Sequence, residues 1–322
     1  MKSPCKTKFR SVFAEHLVNY IQMKQRLGYK YQSQAAILNR FDRYVYETGY
    51  TGLLTQELAL DYATVNPEIT KNEQARKYQT IRHFSNYLAT FIPETPPLHP
   101  AVLTRHKARP PAYIFSEDEL ALLMDAAKNV SRLNPMRGTS LHAMVGLAAV
   151  TGMRVSEIVN LDRTDVNLST GVITVRRTKF QKDRLVPVHS SSLEMLRNYA
   201  LTRDTHFPDC ESKAFFINMW NHRFSKHTLS LAFYNLACST GIRKNIGQGP
   251  HFHNLRHTFA VRRLIAWYHE GKDVQAMLPL LATYMGHVHY SETAYYLTAT
   301  SELLGLASDR YQTFLQQERY TS

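Results

Sequence analysis

The sequence predicts a mainly α-helical protein (α+β): an N-terminal four-helix bundle, then a second, mostly helical domain with a small antiparallel β-hairpin. Three observations predict this fold class. Apolar residues recur at helical spacing through the first hundred residues. A basic segment rich in proline then interrupts the helices. Beyond it, one pair of β-branched runs stands among further helical patterns.

The first domain contains four helical segments. Phe13 to Ile21 and Ile37 to Val45 place apolar residues on one helical face. Residues 56–65 and 72–91 continue the pattern, with the turn signal Asn66-Pro67 between them. The four segments together predict a small bundle.

A basic strap separates the two domains. Arg105, Lys107 and Arg109 follow a group of prolines, and two more prolines come directly after them. Such a strap is either a solvated linker or a segment that lies along a phosphate backbone, and the sequence favours neither. The predicted organisation is a first domain at residues 1–104, a linker at 105–115 and a second domain at 116–322.

The second domain opens with a capping box at Ser116, which predicts a helix start. A helix over 141–150 stops at Thr151-Gly152, where a sharp corner is expected. Residues 172–177 and 184–188 are β-branched runs on either side of a polar turn, and they predict the hairpin. The proline within the second run restricts that strand to a sheet edge or a strand end.

The charge of the chain suggests a polyanionic partner. The 322 residues carry a net charge of +13 at pH 7, and residues 1–110 hold 16 basic and 8 acidic residues against 23 and 18 in 111–322. Positive charge spread over two domains suits a long polyanion, because each neutralised phosphate releases counterions. Charge that serves solubility is the alternative. A hydrophobic content of 44% excludes a disordered basic tail.

Cysteine usage and hydropathy indicate where the protein acts. Cys5, Cys210 and Cys238 are odd in number and far apart, so they form neither a disulfide framework nor a metal knuckle. No secretory signal follows Met1, and no apolar run approaches the about 20 residues that a membrane span needs. We therefore expect a cytoplasmic protein with no membrane partner.

Several kinds of catalytic site are missing from the sequence. It contains no phosphate-binding glycine loop, no GxSxG or HExxH motif, and no carboxylate cluster suited to magnesium. We therefore expect no metal and no cofactor. A zinc site formed by the histidines around His253 and His287 is the less favoured alternative, because no acidic residue lies between His251 and His269.

Cationic and hydrogen-bonding groups stand instead at predicted element boundaries. His253 and Arg256 are three residues apart at the start of a helix, so they share one face. An arginine can grip two phosphate oxygens while a nearby imidazole exchanges a proton. His287 follows the apolar helix over 277–285, and Tyr296 comes nine residues later. Each of these residues taken alone is more often structural, so only their combination indicates a functional site.

In order and spacing these motifs resemble the tyrosine recombinase, or phage integrase, family, which exchanges DNA strands. The resemblance covers residues 116–300, whereas the first domain resembles the family's core-binding domain more loosely. It implies two domains around duplex DNA and four protomers on two sites. The implied catalytic residues are Arg154 within Thr-Gly-Met-Arg-Val-Ser-Glu, Lys179 in the hairpin, His253, Arg256, His287 and Tyr296.

The resemblance also implies the role of each group. Arg154 and Arg256 clamp the phosphate, where negative charge develops in the transition state. Tyr296 attacks and forms a 3′-phosphotyrosyl link, which retains the bond energy without ATP or metal. Lys179 protonates the departing 5′-oxygen. His253 handles the proton of the tyrosine, and His287 hydrogen-bonds the phosphate.

Some assignments stay open. Tyr295 is an alternative to Tyr296 as the nucleophile, and Lys182 is an alternative to Lys179 as the acid. Phe180, next to Lys179, departs from the small residues that are usual beside this lysine in the family. Glu157 either orients an arginine or is a solvated helix charge. The expected duplex contacts are Arg105, Lys107, Arg109, Arg176, Arg177, Lys182 and Arg184.

The expected function is that of a mobile-element recombinase that acts on double-stranded DNA as a homotetramer. Two alternatives remain: a tyrosine-class topoisomerase, which needs no second DNA site, and a DNA-binding accessory protein without catalytic activity. The C-terminal segment over 301–319 is predicted to be helical. It packs either on its own domain or on a neighbouring protomer.

Overall fold

The computed structural model describes residues 9–103, 112–130, 134–176, 183–243, 249–287, 289–298 and 300–321. The chain forms two compact units, Met1–Arg109 and Pro110–Ser322, each with its own apolar core. The described elements confirm a mainly helical fold with a small antiparallel sheet. None of the described helices is long and apolar enough to cross a membrane.

The first unit is the predicted four-helix arrangement. Its core consists of fully buried apolar and aromatic side chains, among them Leu17, Ile37 and Phe84. Threonines at the N-caps of the third and fourth helices accept backbone N–H bonds, which fixes where those helices begin. The helices are α1 (Ala14–Arg26), α2 (Gln32–Glu47), α3 (Gln56–Thr64) and α4 (Lys71–Leu88).

The second unit packs several of its helices around one apolar helix, Pro135–Thr151. The capping box at Ser116 is present and starts the first helix of this unit. The elements are α5 (Glu117–Lys128), α6 (Pro135–Thr151), α7 (Val155–Asn160), β1 (Val166–Asn167), β2 (Val172–Val175), β3 (Arg184–Pro187), α8 (Ser190–His206), α9 (Lys226–Ser239), α10 (Phe252–His269), α11 (Val274–Met285), α12 (Tyr290–Ala294) and α13 (Ser301–Thr321). Short 3₁₀ turns span Arg163–Asp165 and Tyr295–Thr298.

The sheet extends the predicted hairpin by one strand. Its order is β1-β2-β3, with both pairs antiparallel, and Ile173 lies opposite Val166 on one side and Val186 on the other. Strand β1 has two residues, which is too short to give a period-2 pattern in the sequence. Pro187 ends the edge strand β3, as expected for a residue that cannot donate to a ladder.

Two helices end in left-handed glycines, and both ends face the predicted site residues. Gly152 closes α6 with φ of 62°, and a Cβ there would lie 2.6 Å from the ring of Phe259. Gly286 closes α11 with φ of 68°, and a Cβ there would lie 2.8 Å from a guanidinium nitrogen of Arg184. Both the backbone conformation and the close approach therefore require glycine.

Candidate active site

Five of the predicted catalytic residues come from four parts of the second unit. Arg154 is the N-cap of α7, and His253 and Arg256 lie on the first turns of α10. His287 directly follows the glycine that ends α11, and Tyr296 lies in the 3₁₀ turn after α12. Contacts join these elements, because Arg154 and Arg256 bind carbonyls at the end of α11 and the ring of His287 packs against Tyr296.

Arg256 is held by the C-terminal ends of two helices. Its Nη1 donates to the carbonyl of Gly152 at 2.6 Å, and its Nη2 donates to the carbonyl of Met285 at 2.8 Å. The residue is only 2% exposed. Burial and the nearby charge of Arg154 lower the pKa of Arg256 to about 10, so the guanidinium stays protonated at neutral pH. Helix C-termini carry partial negative charge, which compensates a buried cation.

Arg154 is fixed by a carboxylate and by the end of α11. Its Nη1 donates to Glu157 Oε1 and its Nη2 to the carbonyl of Gly286, both at 2.9 Å. The backbone N–H of Arg154 also donates to Glu157 Oε2, which caps the short helix α7. The side chain of Arg154 retains 26% exposure, so this arginine is open to a ligand.

Glu157 binds a second arginine from the sheet. Arg184 donates to both carboxylate oxygens, at 2.8 and 3.1 Å, and its Nε donates to the carbonyl of Tyr284 at 2.8 Å. Burial raises the pKa of Glu157, but the hydrogen bond and charge of Arg184 and the contacts of Arg154 outweigh it, so the pKa lies below its ordinary value. The carboxylate therefore orients an arginine, which is the first of the two predicted alternatives.

The structure places Arg184 differently from the prediction. The sequence suggested a DNA contact or a solvated charge, but the side chain is 10% exposed and is engaged by Glu157 and a backbone carbonyl. The structure therefore favours a role for Arg184 inside the site, where its donors are used. Arg184 instead ties strand β3 to the carboxylate that holds Arg154.

Tyr296 is 3% exposed, and its hydroxyl lies 3.0 Å from Nδ1 of His257. Burial raises the pKa of Tyr296, and the charge of Arg256 lowers it by a smaller amount. Tyr295 packs edge-on against the Tyr296 ring and is less buried. This geometry favours Tyr296 over Tyr295 as the residue directed at the arginines.

His287 packs against the ring of Tyr296, with centroids 6.1 Å apart and planes 20° from parallel. Its Nδ1 lies 2.7 Å from the hydroxyl of Thr293, which is fully buried. Burial, followed by the charges of Arg256 and Arg154, lowers the pKa of His287 to about 3. The imidazole is therefore neutral at pH 7 and can offer its other nitrogen as a donor.

His253 lies at the mouth of the site. Its ring meets the ring of His257 edge-on at 4.8 Å, and its outer side is exposed. Burial of the remainder, then the charges of His257, Arg256 and Arg154, lower its pKa to about 4. The contact with the Tyr296 hydroxyl that we expected for His253 belongs to His257 instead. The signal that could have revealed His257 is its spacing of four residues from His253 on the same helix.

The other predicted site residues divide into two groups. Arg176 is described, and its half-exposed side chain pairs with the buried carboxylate of Asp165. The predicted acid Lys179 lies outside the described residues, as do the predicted duplex contacts Arg105, Lys107, Arg109, Arg177 and Lys182. Within the described part of the chain, no group of three or more histidine, cysteine or acidic side chains is arranged to hold a metal ion.

The assembled groups form a site that can bind and attack a phosphate. Arg154 and Arg256 present two positive charges, and His287 presents a neutral donor. A tyrosine hydroxyl lies beside them in surroundings that are largely closed to water. Fixed cations of this kind stabilise the charge that develops on a phosphoryl group under attack.

Comparison with known proteins agrees with this chemistry. Residues 114–302 match the phage integrase family. The chain is 40% identical over 304 residues to a Sinorhizobium fredii protein named as the integrase/recombinase y4rE, which covers 94% of this chain and 97% of that protein. It is 26% identical to tyrosine recombinase XerC of Chlamydia trachomatis over 73% of this chain and 69% of that protein.

Two solved structures share the fold. The Tn1549 transposon integrase, in complex with transposon right end DNA, has a TM-score of 0.67 and 12% identity, covering 94% of this chain and 99% of that chain. The lambda integrase tetramer bound to a Holliday junction has a TM-score of 0.59 and 18% identity, covering 86% and 78%.

The fold and the family match together define an enzyme that breaks and rejoins DNA strands, of the tyrosine recombinase class. The chain belongs to the phage integrase family.

Proposed function

We propose that this enzyme recombines the DNA of a mobile element by using Tyr296 as its nucleophile. The observation that carries the proposal is the buried Tyr296 hydroxyl, which lies in one cluster with Arg256, Arg154 and His287. The phenolic oxygen attacks the scissile phosphorus in line, forms a 3′-phosphotyrosyl bond and releases a 5′-hydroxyl. Attack by the 5′-hydroxyl of another strand reverses this step, so neither ATP nor a metal is needed.

Each neighbouring residue has a role in this proposal. Arg154 and Arg256 bind the non-bridging oxygens as charge develops on them. His287 donates its free N–H to the same phosphate, with the Thr293 hydroxyl donating to its other nitrogen. His253, at the mouth, contacts the phosphate from the exposed side. Lys179 is proposed as the acid for the 5′-oxygen.

The proposed partner is double-stranded DNA, with four protomers on two sites. The lambda integrase tetramer and the transposon integrase on its transposon end support this assembly as relatives of the same fold. The basic excess in both parts of the chain supports a long DNA contact. We retain Arg105, Lys107, Arg109, Arg176, Arg177 and Lys182 as proposed duplex contacts.

Covalent capture tests the nucleophile. In a nicked duplex that carries the end of the element, the short strand released by cleavage diffuses away with its 5′-hydroxyl. Rejoining is then prevented, so the covalent adduct accumulates. The wild-type protein should form this adduct in the presence of EDTA. Tyr296→Phe should form none, whereas the matched variant Tyr295→Phe should retain it. An adduct formed by Tyr296→Phe and lost in Tyr295→Phe would assign the nucleophile to Tyr295.

A modified substrate tests the acid. When sulfur replaces the bridging 5′-oxygen, the leaving group needs no proton. Lys179→Ala should then cleave at the wild-type rate, while it is slow by about 10²-fold or more on ordinary DNA. Failure of the sulfur substrate to restore cleavage would remove Lys179 as the acid, and Lys182→Ala is the comparison variant.

A further inference from the structure

The histidine that contacts the hydroxyl of the proposed nucleophile is His257, which directly follows Arg256 in the chain. Its Nδ1 lies 3.0 Å from the Tyr296 hydroxyl, which is hydrogen-bond distance. Its ring lies 5.4 Å from the tyrosine ring and 4.8 Å from the ring of His253. His257 therefore lies between the exposed histidine and the buried tyrosine.

The geometry of α10 explains this position. His253 and His257 are four residues apart, so they lie one above the other on the same side of the helix. His253 occupies the first turn and is exposed, whereas His257 is one turn deeper and half-buried. Tyr296, in the 3₁₀ turn after α12, faces the deeper of the two rings.

We propose that His257 is the base that takes the proton of Tyr296 when the tyrosine attacks DNA. This inference rests on the proposed function. As the bond between the phenolic oxygen and phosphorus forms, the O–H proton moves to the lone pair on Nδ1 of a neutral His257. The bond from phosphorus to the 5′-oxygen breaks, and that oxygen takes a proton from the proposed acid Lys179. Rejoining runs these transfers backwards, with His257 returning the proton to the phenolic oxygen.

The surroundings of Tyr296 explain why a base is needed. Burial raises the pKa of the hydroxyl above its ordinary value of 10.0, and the positive charge of Arg256 offsets only part of that increase. A phenolic hydroxyl that keeps its proton at pH 7 is a poor nucleophile, so a base in contact with it accelerates attack. The titratable and charged groups that face this pair are His253 and Arg256 from α10, Tyr295 from the 3₁₀ turn, His287 after α11 and Arg154 at the start of α7.

The test measures single-turnover adduct formation on the nicked duplex with a bridging 5′-sulfur. This substrate removes the need for an acid, so any remaining defect concerns the nucleophile. His257→Asn places an amide oxygen where Nδ1 was, and it can accept a hydrogen bond but not a proton. We expect adduct formation at pH 7 to fall about 10²-fold and to rise about tenfold per pH unit up to pH 9, since only the phenolate then reacts. DNA affinity should be unchanged.

Three variants complete the design. His269→Asn, on the exposed last turn of the same helix, should behave as wild type. His257→Gln, which also cannot take up a proton, replaces the asparagine variant if circular dichroism shows that the latter is unfolded. His253→Asn tests the competing assignment, and we expect it to lack the steep pH dependence.

The outcomes separate the two proposals. If wild type forms the adduct, Tyr296→Phe does not, and His257→Asn matches the wild-type rate and pH profile, then His257 is not the base although the nucleophile stands. The same conclusion follows if His253→Asn shows the steep profile and His257→Asn does not. If wild type binds the duplex but forms no adduct, the proposed function itself fails and the role of His257 fails with it.

Discussion

The arginine side and the tyrosine side of the site are held in different ways. Arg256 and Arg154 contact helix-end carbonyls and a buried carboxylate, with two of these hydrogen bonds for each side chain. The Tyr296 hydroxyl bonds to His257, the His287 ring bonds to the Thr293 hydroxyl, and the rings of Tyr296 and His287 pack on each other. The difference indicates that hydrogen bonds to carbonyls and a carboxylate fix the proposed phosphate-binding groups, whereas ring packing contributes more to the position of the proposed nucleophile.

Among the substitutions that test this comparison, replacing the guanidinium of Arg256 by an ammonium group should have the largest effect. In Arg256→Lys, the ammonium group is a single point of charge. It therefore cannot replace the planar guanidinium, whose two nitrogens donate to the carbonyls of Gly152 and Met285. We expect adduct formation to fall by about 10²- to 10³-fold, comparable to the loss of one oxyanion donor. The measurement is single-turnover cleavage, with the exposed Arg263→Lys on the same helix as control. Equal rates for the two variants would show that the fork is dispensable.

The next effect should come from the shared carboxylate. Glu157→Gln keeps the shape but leaves Arg154 and Arg184 without their negative partner. We expect cleavage to fall by about 10- to 100-fold and the free energy of unfolding to fall by about 3 kcal/mol at pH 7. The exposed Glu194→Gln should change neither quantity.

The same carboxylate gives a pH signature. The pKa of Glu157 is lower in the folded than in the unfolded chain, where the ordinary value is 4.5. Its stabilisation is therefore fully present above about pH 4.5 and is lost as the pH falls through the folded pKa. In urea unfolding, the advantage of wild type over Glu157→Gln should shrink below pH 4.5. An advantage that does not shrink as the pH falls below 4.5 would contradict the ionised pair.

A smaller effect concerns stability on the tyrosine side. The pKa of His287 is about 3 in the folded protein against an ordinary value of 6.5, so the unfolded chain binds a proton that the folded chain does not. The free energy of unfolding should therefore fall as the pH drops from 6.5 towards 3, because protonation stabilises the unfolded chain over that range. His287→Gln should show a flatter profile in urea unfolding between pH 6.5 and 4. Profiles of equal slope would mean that His287 is already protonated in the fold.

The smallest effect should come from the hydroxyl that orients His287. Thr293→Val removes the hydrogen bond at Nδ1 and leaves the ring packing in place. The loss of one such bond corresponds to roughly 2- to 10-fold slower cleavage. The exposed Thr298→Val, at the end of the 3₁₀ turn that follows α12, is the control. A loss as large as that of Arg256→Lys would show that the tyrosine side is no less constrained than the arginine side.

The sequence was sufficient for the fold class and for the residues whose spacing is local. The set Arg154, His253, Arg256, His287 and Tyr296 could be predicted because its order and spacing along the chain resemble the motifs of the family. The partnership of Glu157 with Arg184 could not, since it joins residues 27 positions apart through tertiary packing.

Arg184 illustrates the same limit. A basic residue beside a polar turn is typical of a surface charge, and only its tertiary contacts with Glu157 and with the carbonyl of Tyr284 show otherwise. His257 was hidden for a different reason. His257 follows Arg256, which belongs to the motif and draws attention away from it. Helical periodicity places His257 on the same face as His253 but does not show that this face meets Tyr296.

The charge balance around Glu157 should make the site bind small anions. Arg154, Arg184 and Arg256 bring three positive charges to the site, whereas Glu157 supplies one negative charge among these four groups. These four groups therefore carry surplus positive charge before any DNA binds, which favours small oxyanions as well as a scissile phosphate. Sulfate or phosphate in a buffer should compete with DNA for this position, and flat or trigonal oxyanions are a rational starting point for small-molecule inhibitors of the enzyme.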